Sequence, residues 1–151
     1  MKEYLFNPFN VKILNEIQLQ KMYQEVFKGL LDECNTMYEY SHNIEVYSNL
    51  NYIIGEIIAR LTKDIIELKT KIQIDTAINT TEERKRWNDG KAPALAYFQA
   101  LATRMSKEDI NRLADKECSL QRFKNSYKTI EEKINSLKKR MDAIKYEEFN
   151  E

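Results

Sequence analysis

The sequence predicts an all-α fold, in which two long amphipathic helices form an antiparallel hairpin or a helical bundle with coiled-coil character. The 151 residues include only three Gly and two Pro, so the residues that favour β-turns are scarce. Charged residues make up 32% of the chain, as is typical of helices with one hydrated face. Two long stretches repeat apolar residues at helical spacing. We therefore expect a single helical domain over residues 1–151 that assembles into a homo-oligomer.

The first forty residues are predicted to contain an aromatic arm and one helix. Residues 1–10 carry several aromatic side chains around Pro8, and such a terminus usually packs against a core or a neighbouring subunit. Residues 11–40 are predicted to form the first helix, because apolar residues such as Leu14, Ile17 and Val26 recur through them.

The first long helix is predicted over residues 43–79. Its apolar stripe recurs every three or four residues, and Ile53 and Ile58 widen it, so we expect a broad buried face that contacts more than one neighbour. The residues of the stripe are Ile44, Tyr47, Leu50, Ile54, Ile57, Leu61, Ile65, Leu68 and Ile72.

A basic bend and a short helix are predicted to follow. Residues 80–92 lose the apolar stripe and end in Asn88-Asp89-Gly90, a strong turn signal. Pro93 suits the first turn of a helix, and residues 93–105 are predicted to form a short apolar helix.

The last helix, predicted over residues 107–146, has the most regular apolar spacing of the chain. A strict seven-residue period predicts a left-handed supercoil with a partner helix. The partner is either the helix of residues 43–79, joined through the bend as an antiparallel hairpin, or a second chain. The expected packing positions are Leu120, Phe123, Tyr127, Ile130, Ile134, Leu137, Met141 and Ile144.

Several classes of protein find no support in the sequence. There is no Gly-rich phosphate loop and no catalytic triad or metalloprotease motif, so we expect no enzyme, no catalytic residue and no cofactor. Cys34 and Cys118 have no metal-ligand spacing, and His42 is the single histidine, so no metal site is expected. No apolar run is long enough to span a membrane. The first residues do not resemble a signal peptide, and two unpaired cysteines fit a reducing cytoplasm.

Charge is unevenly distributed along a chain whose net charge is zero. Residues 1–50 hold four Lys and seven acidic residues, whereas residues 119–145 hold eight Lys or Arg and three acidic residues.

The sharpest local feature is a basic cluster around one tryptophan in the bend. Cations that contact phosphates beside aromatic rings that stack on bases are typical of single-strand binding. The candidate nucleic-acid-binding residues are Arg84, Lys85, Arg86, Trp87, Lys91, Lys124, Lys128, Lys138, Lys139 and Arg140.

The same basic cluster also has a purely structural interpretation. Cations are favoured at the carboxyl end of a helix, because they interact with its dipole. Trp87, with Tyr97 and Phe98, would then cover the apolar end of the bundle.

The layout resembles a family of small helical phage proteins, the recombination mediators of T-even bacteriophages. The similar elements are Val46-Tyr47-Ser48, a basic helix followed by Asn88-Asp89-Gly90, Ala114-Asp115-Lys116, Tyr127, and Asp142-Ala143-Ile144-Lys145. They cover residues 43–145, roughly two-thirds of the chain. The resemblance implies a ring-forming protein that binds single-stranded DNA and helps to load a recombinase onto strands coated by single-strand-binding protein. Only Arg84, Lys85, Arg86 and Lys91 lie where that family has its basic DNA contacts.

We therefore expect a cytoplasmic protein of a phage-infected or prophage-bearing bacterium that binds single-stranded DNA during recombination or replication. The alternative is a non-enzymatic interaction module, such as a phage protein that binds and inhibits a host or defence protein.

Overall fold

The computed structural model describes residues 7–87 and 92–150, and these residues form five helices. They are α1 (Pro8–Val11), α2 (Glu16–Phe27), α3 (Met37–Arg86), α4 (Leu95–Met105) and α5 (Lys107–Asn150). The described residues contain no strand, so the predicted all-α class is confirmed. None of the described helices combines the length and apolar character needed to cross a membrane.

The chain divides into two compact units. Unit 1 comprises Met1–Ala59 and Arg122–Glu151, and unit 2 comprises Arg60–Gln121. Helices α3 and α5 contribute residues to both units.

The structure replaces the helix predicted over residues 11–40 with shorter elements. Helix α1 ends at Val11, and α2 begins after Asn15. The Asn15 side chain accepts a hydrogen bond from the Gln18 amide at 2.9 Å, and the Gln18 side chain accepts one from the Asn15 amide at 2.9 Å. This capping box starts a new helix at a point where the apolar pattern alone suggests a continuous one. Of the predicted arm, residues 1–6 lie outside the described residues, and Pro8–Val11 is helical.

Side chains of α3 fix the connection between α2 and α3. Asn43 bonds both the amide and the carbonyl of Leu31, each at 2.9 Å, and a His42 ring nitrogen lies 2.7 Å from the Gly29 carbonyl oxygen. These bonds satisfy backbone groups of a non-helical segment that would otherwise need water.

Helix α3 extends beyond the predicted range of 43–79 at both ends. Its start is set by Thr36 and Glu39: the Thr36 hydroxyl accepts from the Glu39 amide at 3.3 Å, and Glu39 accepts from the amides of Asn35 and Thr36 at 2.8 and 2.9 Å. It continues to Arg86 because residues 56–86 contain neither Gly nor Pro. Helix α4 matches the predicted short helix closely, and α5 runs four residues beyond the predicted end at 146.

Unit 1 is organised around the amino-terminal half of α3. On one side Val46, Leu50 and Ile54 form a buried cluster with Ile130 of α5, and on the other side Ile53 packs with Val11 and Leu19. The broad apolar face of α3 therefore contacts α2 and α5, as its sequence predicts.

The regular apolar stripe of α5 packs within the same chain in unit 1. Ile130 is buried in the cluster with α3, and Phe123, Tyr127 and Ile134 pack against it. Leu137, Met141 and Ile144 are half-buried in unit 1, and Leu120 is half-buried in unit 2. In unit 1 the partner of the stripe is thus α3, the first of the two alternatives left open by the sequence.

Unit 2 has a small core and a set of ion pairs. Ile65 and Leu68 of α3 are buried, as are Phe98 and Ala102 of α4. Asp64 pairs with Lys116 at 2.8 Å, and Lys71 pairs with Asp109 at 2.5 Å. Because the later residue of α3 pairs with the earlier residue of α5, the two helices run antiparallel in this unit.

Replacing Gly55 with Ala should stabilise the protein. Gly55 lies inside α3, where glycine costs about 0.5–1 kcal/mol relative to alanine. An added Cβ would lie 3.8 Å from Tyr127 Cε2, an ordinary contact. We expect Gly55→Ala to raise the free energy of unfolding by about that amount in a denaturant titration. Gly29→Ala is the control, for which we expect no increase in the free energy of unfolding, because the added Cβ would lie only 3.1 Å from the Val26 carbonyl oxygen. A loss of stability in Gly55→Ala would contradict this account.

Acid should weaken the amino-terminal cap of α3. Backbone hydrogen bonds from Asn35 and Thr36 hold the pKa of Glu39 below its usual value of 4.5. A lowered pKa in the folded state adds stability above the unfolded pKa, and this stability is lost as the pH falls through the folded pKa. Glu39→Gln should therefore lower the melting temperature at pH 7 and have a smaller effect at an acidic pH below the folded pKa of Glu39. Glu45→Gln, an exposed α3 variant, controls for loss of charge, and an equal effect of Glu39→Gln at both pH values would refute this role.

Candidate nucleic-acid interface

The candidate site is the carboxyl end of α3 in unit 2, formed by Arg84, Lys85, Arg86 and Trp87. We call it the basic aromatic end. The sequence predicts an exposed bend over residues 80–92, and the structure corrects part of this: residues 80–86 are helical, and Arg84, Lys85 and Arg86 form the last helical turn. Trp87 follows the helix, and its amide donates to the Arg84 carbonyl at 3.3 Å.

The last turns of α3 contain local hydroxyl bonds and a charge arrangement that is compatible with a helix. The hydroxyls of Thr80 and Thr81 donate to the carbonyls of Thr76 and Ala77 at 2.6 and 3.0 Å. These bonds keep both hydroxyls on the helix itself. Three cations in the last turn interact favourably with the negative end of the helix dipole. The turn signal Asn88-Asp89-Gly90 then follows the helix, but these residues lie outside the described ranges.

Two of the three cations keep their charge available. Arg86 pairs with Glu83 at 3.0 Å, so its charge is partly offset. Within the described residues, Arg84 and Lys85 form no ion pair, and both are exposed. Trp87 has 44% of its surface exposed. The helix end thus presents two cations and an indole ring to solvent, which fits phosphate contacts beside a stacked base.

The neighbouring aromatic residues have different environments. Phe98 is buried in the core of unit 2, whereas Tyr97 has 51% of its surface exposed. The two rings meet edge to face with their centroids 5.7 Å apart. Phe98 is therefore a core residue, and only Tyr97 offers a ring to solvent. Lys91, the fifth candidate of the bend, lies outside the described residues.

The candidate cations of α5 belong to unit 1 and form a mixed surface. Lys124, Lys128 and Lys139 share one face of the helix at 100° per residue, and Lys138 and Arg140 lie on either side of it. All five are exposed. Glu132 and Asp142 lie on the same face as the three lysines, so the predicted basic track is interrupted by acidic residues. The basic aromatic end belongs to the other unit.

A charged groove between α3 and α5 in unit 2 was not predicted from the sequence. Its charged residues are largely paired with one another: Asp64 with Lys116, and Lys71 with Asp109, which Arg112 also approaches at 3.6 Å. The hydrogen bond to the Asp109 carboxylate raises the pKa of Lys71, so this lysine remains charged and suits an ion pair better than proton transfer. The pairing depends on the register of two helices, which sequence spacing within one helix does not reveal. The groove is lined by Asp64, Glu67, Leu68, Lys71, Arg112 and Lys116.

The described residues offer no group of three or more His, Cys, Asp or Glu side chains that could hold a metal ion.

Cys34 is half-buried, and its sulfur accepts a hydrogen bond from Asn43 at 3.0 Å. Burial is the main cause that raises the pKa of this thiol. A raised thiol pKa lowers the thiolate fraction and hence the reactivity, so Cys34 acts as a structural residue here.

The fluorescence of Trp87, the single tryptophan of the chain, should report the local charge. Because Arg84 and Lys85 are exposed beside it, iodide should accumulate near the indole at low ionic strength and quench it more strongly than caesium does, when the quenching by each ion is expressed relative to that of free N-acetyltryptophanamide. Replacing Arg84 and Lys85 together with Ala should reduce iodide quenching and leave acrylamide quenching unchanged. The double variant Lys138→Ala with Lys139→Ala, in the other unit, is the charge-matched control. Equal quenching by the two ions in the native protein would show that the indole has no basic environment.

Comparisons of the chain with models of protein families, with curated proteins and with solved structures gave no match.

Proposed function

We propose that the chain binds single-stranded DNA through the basic aromatic end of α3. The observation that carries this proposal is the exposed indole of Trp87 next to two exposed cations, Arg84 and Lys85, that form no ion pair within the described residues. A base stacked on an aromatic ring gains about 1–3 kcal/mol, and this gain depends little on sequence. The cations supply phosphate contacts that are sensitive to salt.

The biological role we propose is that of an accessory protein in phage-type recombination or replication. The support is the resemblance to the recombination mediators of T-even bacteriophages, which also implies a recombinase or a single-strand-binding protein as partner. The protein has no catalytic role in this proposal. Binding supplies the function, and the helices hold the cations in fixed positions.

Self-association is part of the same proposal, for an electrostatic reason. The net charge of the chain is zero, so the attraction of one copy to DNA is weak beyond its local contacts. Several copies on one strand convert later contacts into intramolecular ones and add their weak sites together. We therefore expect a homo-oligomer to bind a long strand more tightly than a short one.

A titration with oligothymidine tests the DNA-binding proposal. At low salt we expect saturable binding that quenches Trp87 fluorescence and weakens as salt is added. Replacing Arg84 and Lys85 with Ala should weaken binding and reduce the slope of log K against log salt by about 1.4, since each phosphate contact to a single strand contributes about 0.7. Trp87→Ala, followed by anisotropy of a labelled oligonucleotide, should weaken binding roughly 5- to 150-fold through lost stacking.

A matched variant in the same unit controls for the overall loss of charge. Arg104→Ala with Lys107→Ala removes two exposed cations at the end of α4 and the start of α5. It should bind oligothymidine almost as the native protein does. If the native protein shows no binding at low salt, or if both double variants weaken it equally, the basic aromatic end is not a DNA site.

A second candidate is a protein-interaction module that occludes a host or defence protein. The observation that favours it is the exposure of large apolar side chains in unit 1, with Ile13 at 80% and Ile17 at 65%. Protein-binding surfaces commonly expose apolar side chains of this size. A copurifying protein that survives nuclease treatment and is lost in Ile17→Lys would favour this candidate over the DNA-binding role.

A further inference from the structure

The part of α3 in unit 2 carries a second stripe on its outer surface. Its residues follow one another by steps of four, three, four, three and four, the spacing of a coiled-coil seam. Ile74 and Ile78, at its centre, have 53% and 51% of their surfaces exposed, and the other members are exposed as well. We call this the outer stripe, and it consists of Glu67, Lys71, Ile74, Ile78, Thr81 and Lys85.

The outer stripe is distinct from the face that α3 buries in its own chain. Ile65 and Leu68 are buried in unit 2, and at 100° per residue they lie on a different side of the helix from Ile74 and Ile78. A helix with apolar residues on two sides is typical of one that is covered on both. Among the described residues of unit 2, none covers Ile74 and Ile78, as their exposure shows. At the amino-terminal end of the stripe, Glu67 and Lys71 also border the groove between α3 and α5.

The order of residues in the outer stripe is complementary to itself when reversed. In an antiparallel pair, the two-fold axis can cross the contact at the level of Thr76 along the helix. Ile74 of each copy then lies opposite the partner's Ile78. The same register places Glu67 opposite the partner's Lys85 at both ends of the contact. Opposite charges therefore flank four isoleucines, the arrangement of an isologous interface.

The charges disfavour a parallel pair in register. In a parallel pair in register, Glu67, Lys71 and Lys85 would each face the same residue of the second copy, and like charges in this position are destabilising. In the antiparallel register Lys71 lies opposite the partner's Thr81, and its charge is bound by Asp109 of its own chain. Coiled-coil flanking charges set helix orientation in the same way.

We propose that two copies of the chain pair antiparallel through the outer stripe, with the two-fold axis at Thr76. This contact would be the interface of the homo-oligomer in the proposed function. The biological role of the pair rests on that proposed function, but the contact itself does not. The two Lys85 residues lie about 27 Å apart along the helix axes, at opposite ends of the contact, at 1.5 Å per residue. In this pair each Lys85 lies opposite the partner's Glu67, so Arg84 and Trp87 are the residues that each basic aromatic end keeps open for one DNA strand.

Cross-linking tests the orientation and the register. The two copies of Ala77, exposed beside the outer stripe, lie about 3 Å apart along the axis in this register, whereas the two copies of Thr70 lie about 18 Å apart. In a Cys34→Ser, Cys118→Ser background, a short bismaleimide should link Ala77→Cys into a dimer and leave Thr70→Cys unlinked. Linking of both variants would indicate a parallel pair, and linking of neither would contradict the interface.

Molecular mass in solution, measured without DNA across a range of concentrations, tests the contact itself. Ile74→Lys should weaken self-association by roughly 100-fold or more, because two isoleucine side chains leave the contact. Ile66→Lys is the matched control, since Ile66 is 59% exposed on the same helix but lies off the outer stripe. The helical circular dichroism of both variants should equal that of the native protein.

Exchange of the flanking charges is the most specific test. Glu67→Lys alone and Lys85→Glu alone should each weaken self-association, and the two together should restore it. A native protein that is monomeric at every concentration, or a double variant as weak as the single ones, would overturn the proposal. Because DNA is absent, loss of the dimer is measured separately from loss of DNA binding: a dimer that binds no oligothymidine leaves the interface standing and removes the proposed function.

Discussion

The packing of α3 between two neighbours is the interaction on which the structure of unit 1 depends. Leu50 and Ile53 have no exposed surface, and they lie in two different clusters, one with α5 and one with α1 and α2. A helix of 50 residues gains most of its stability from such tertiary contacts rather than from intrinsic propensity. These contacts on two sides of α3 join α1, α2 and α5 into the core of unit 1.

Polar side chains help to determine the register of the packed helices, which apolar contacts alone do not specify. Asn51 is buried, and its amide donates to the Tyr127 carbonyl at 3.3 Å, while its side-chain oxygen has no hydrogen-bond partner among the described residues. A buried asparagine in a helix seam costs stability and favours one register over others. In unit 2 the antiparallel ion pairs Asp64–Lys116 and Lys71–Asp109 do the same at the surface. Exposed pairs contribute little stability, so their main effect is on register.

The helical setting of the basic aromatic end has consequences for binding. Arg84 and Lys85 project from a regular helical turn and not from a loop, so their backbone would lose little conformational freedom in the proposed binding of a strand. Cations at a helix end are also stabilised by the dipole, whether or not they bind a ligand. Their presence alone is thus compatible with a solvated helix end, and what distinguishes a binding site is the adjacent exposed indole of Trp87, an apolar ring that gains energy by stacking.

The sequence by itself determined the helical class, the apolar face of α3 and the seam of α5, because each follows from periodicity within one helix. The basic cluster and its tryptophan were also visible in it. The capping residues Asn15 and Thr36 are visible in the sequence. The apolar pattern nevertheless continues across them, so a prediction from spacing alone places one continuous helix there. Only the tertiary structure decided that Phe98 is buried while Trp87 is exposed, that α5 packs on α3 of its own chain, and that Asp64 meets Lys116. These outcomes depend on which surfaces of separate helices meet, and no spacing within a single helix encodes that.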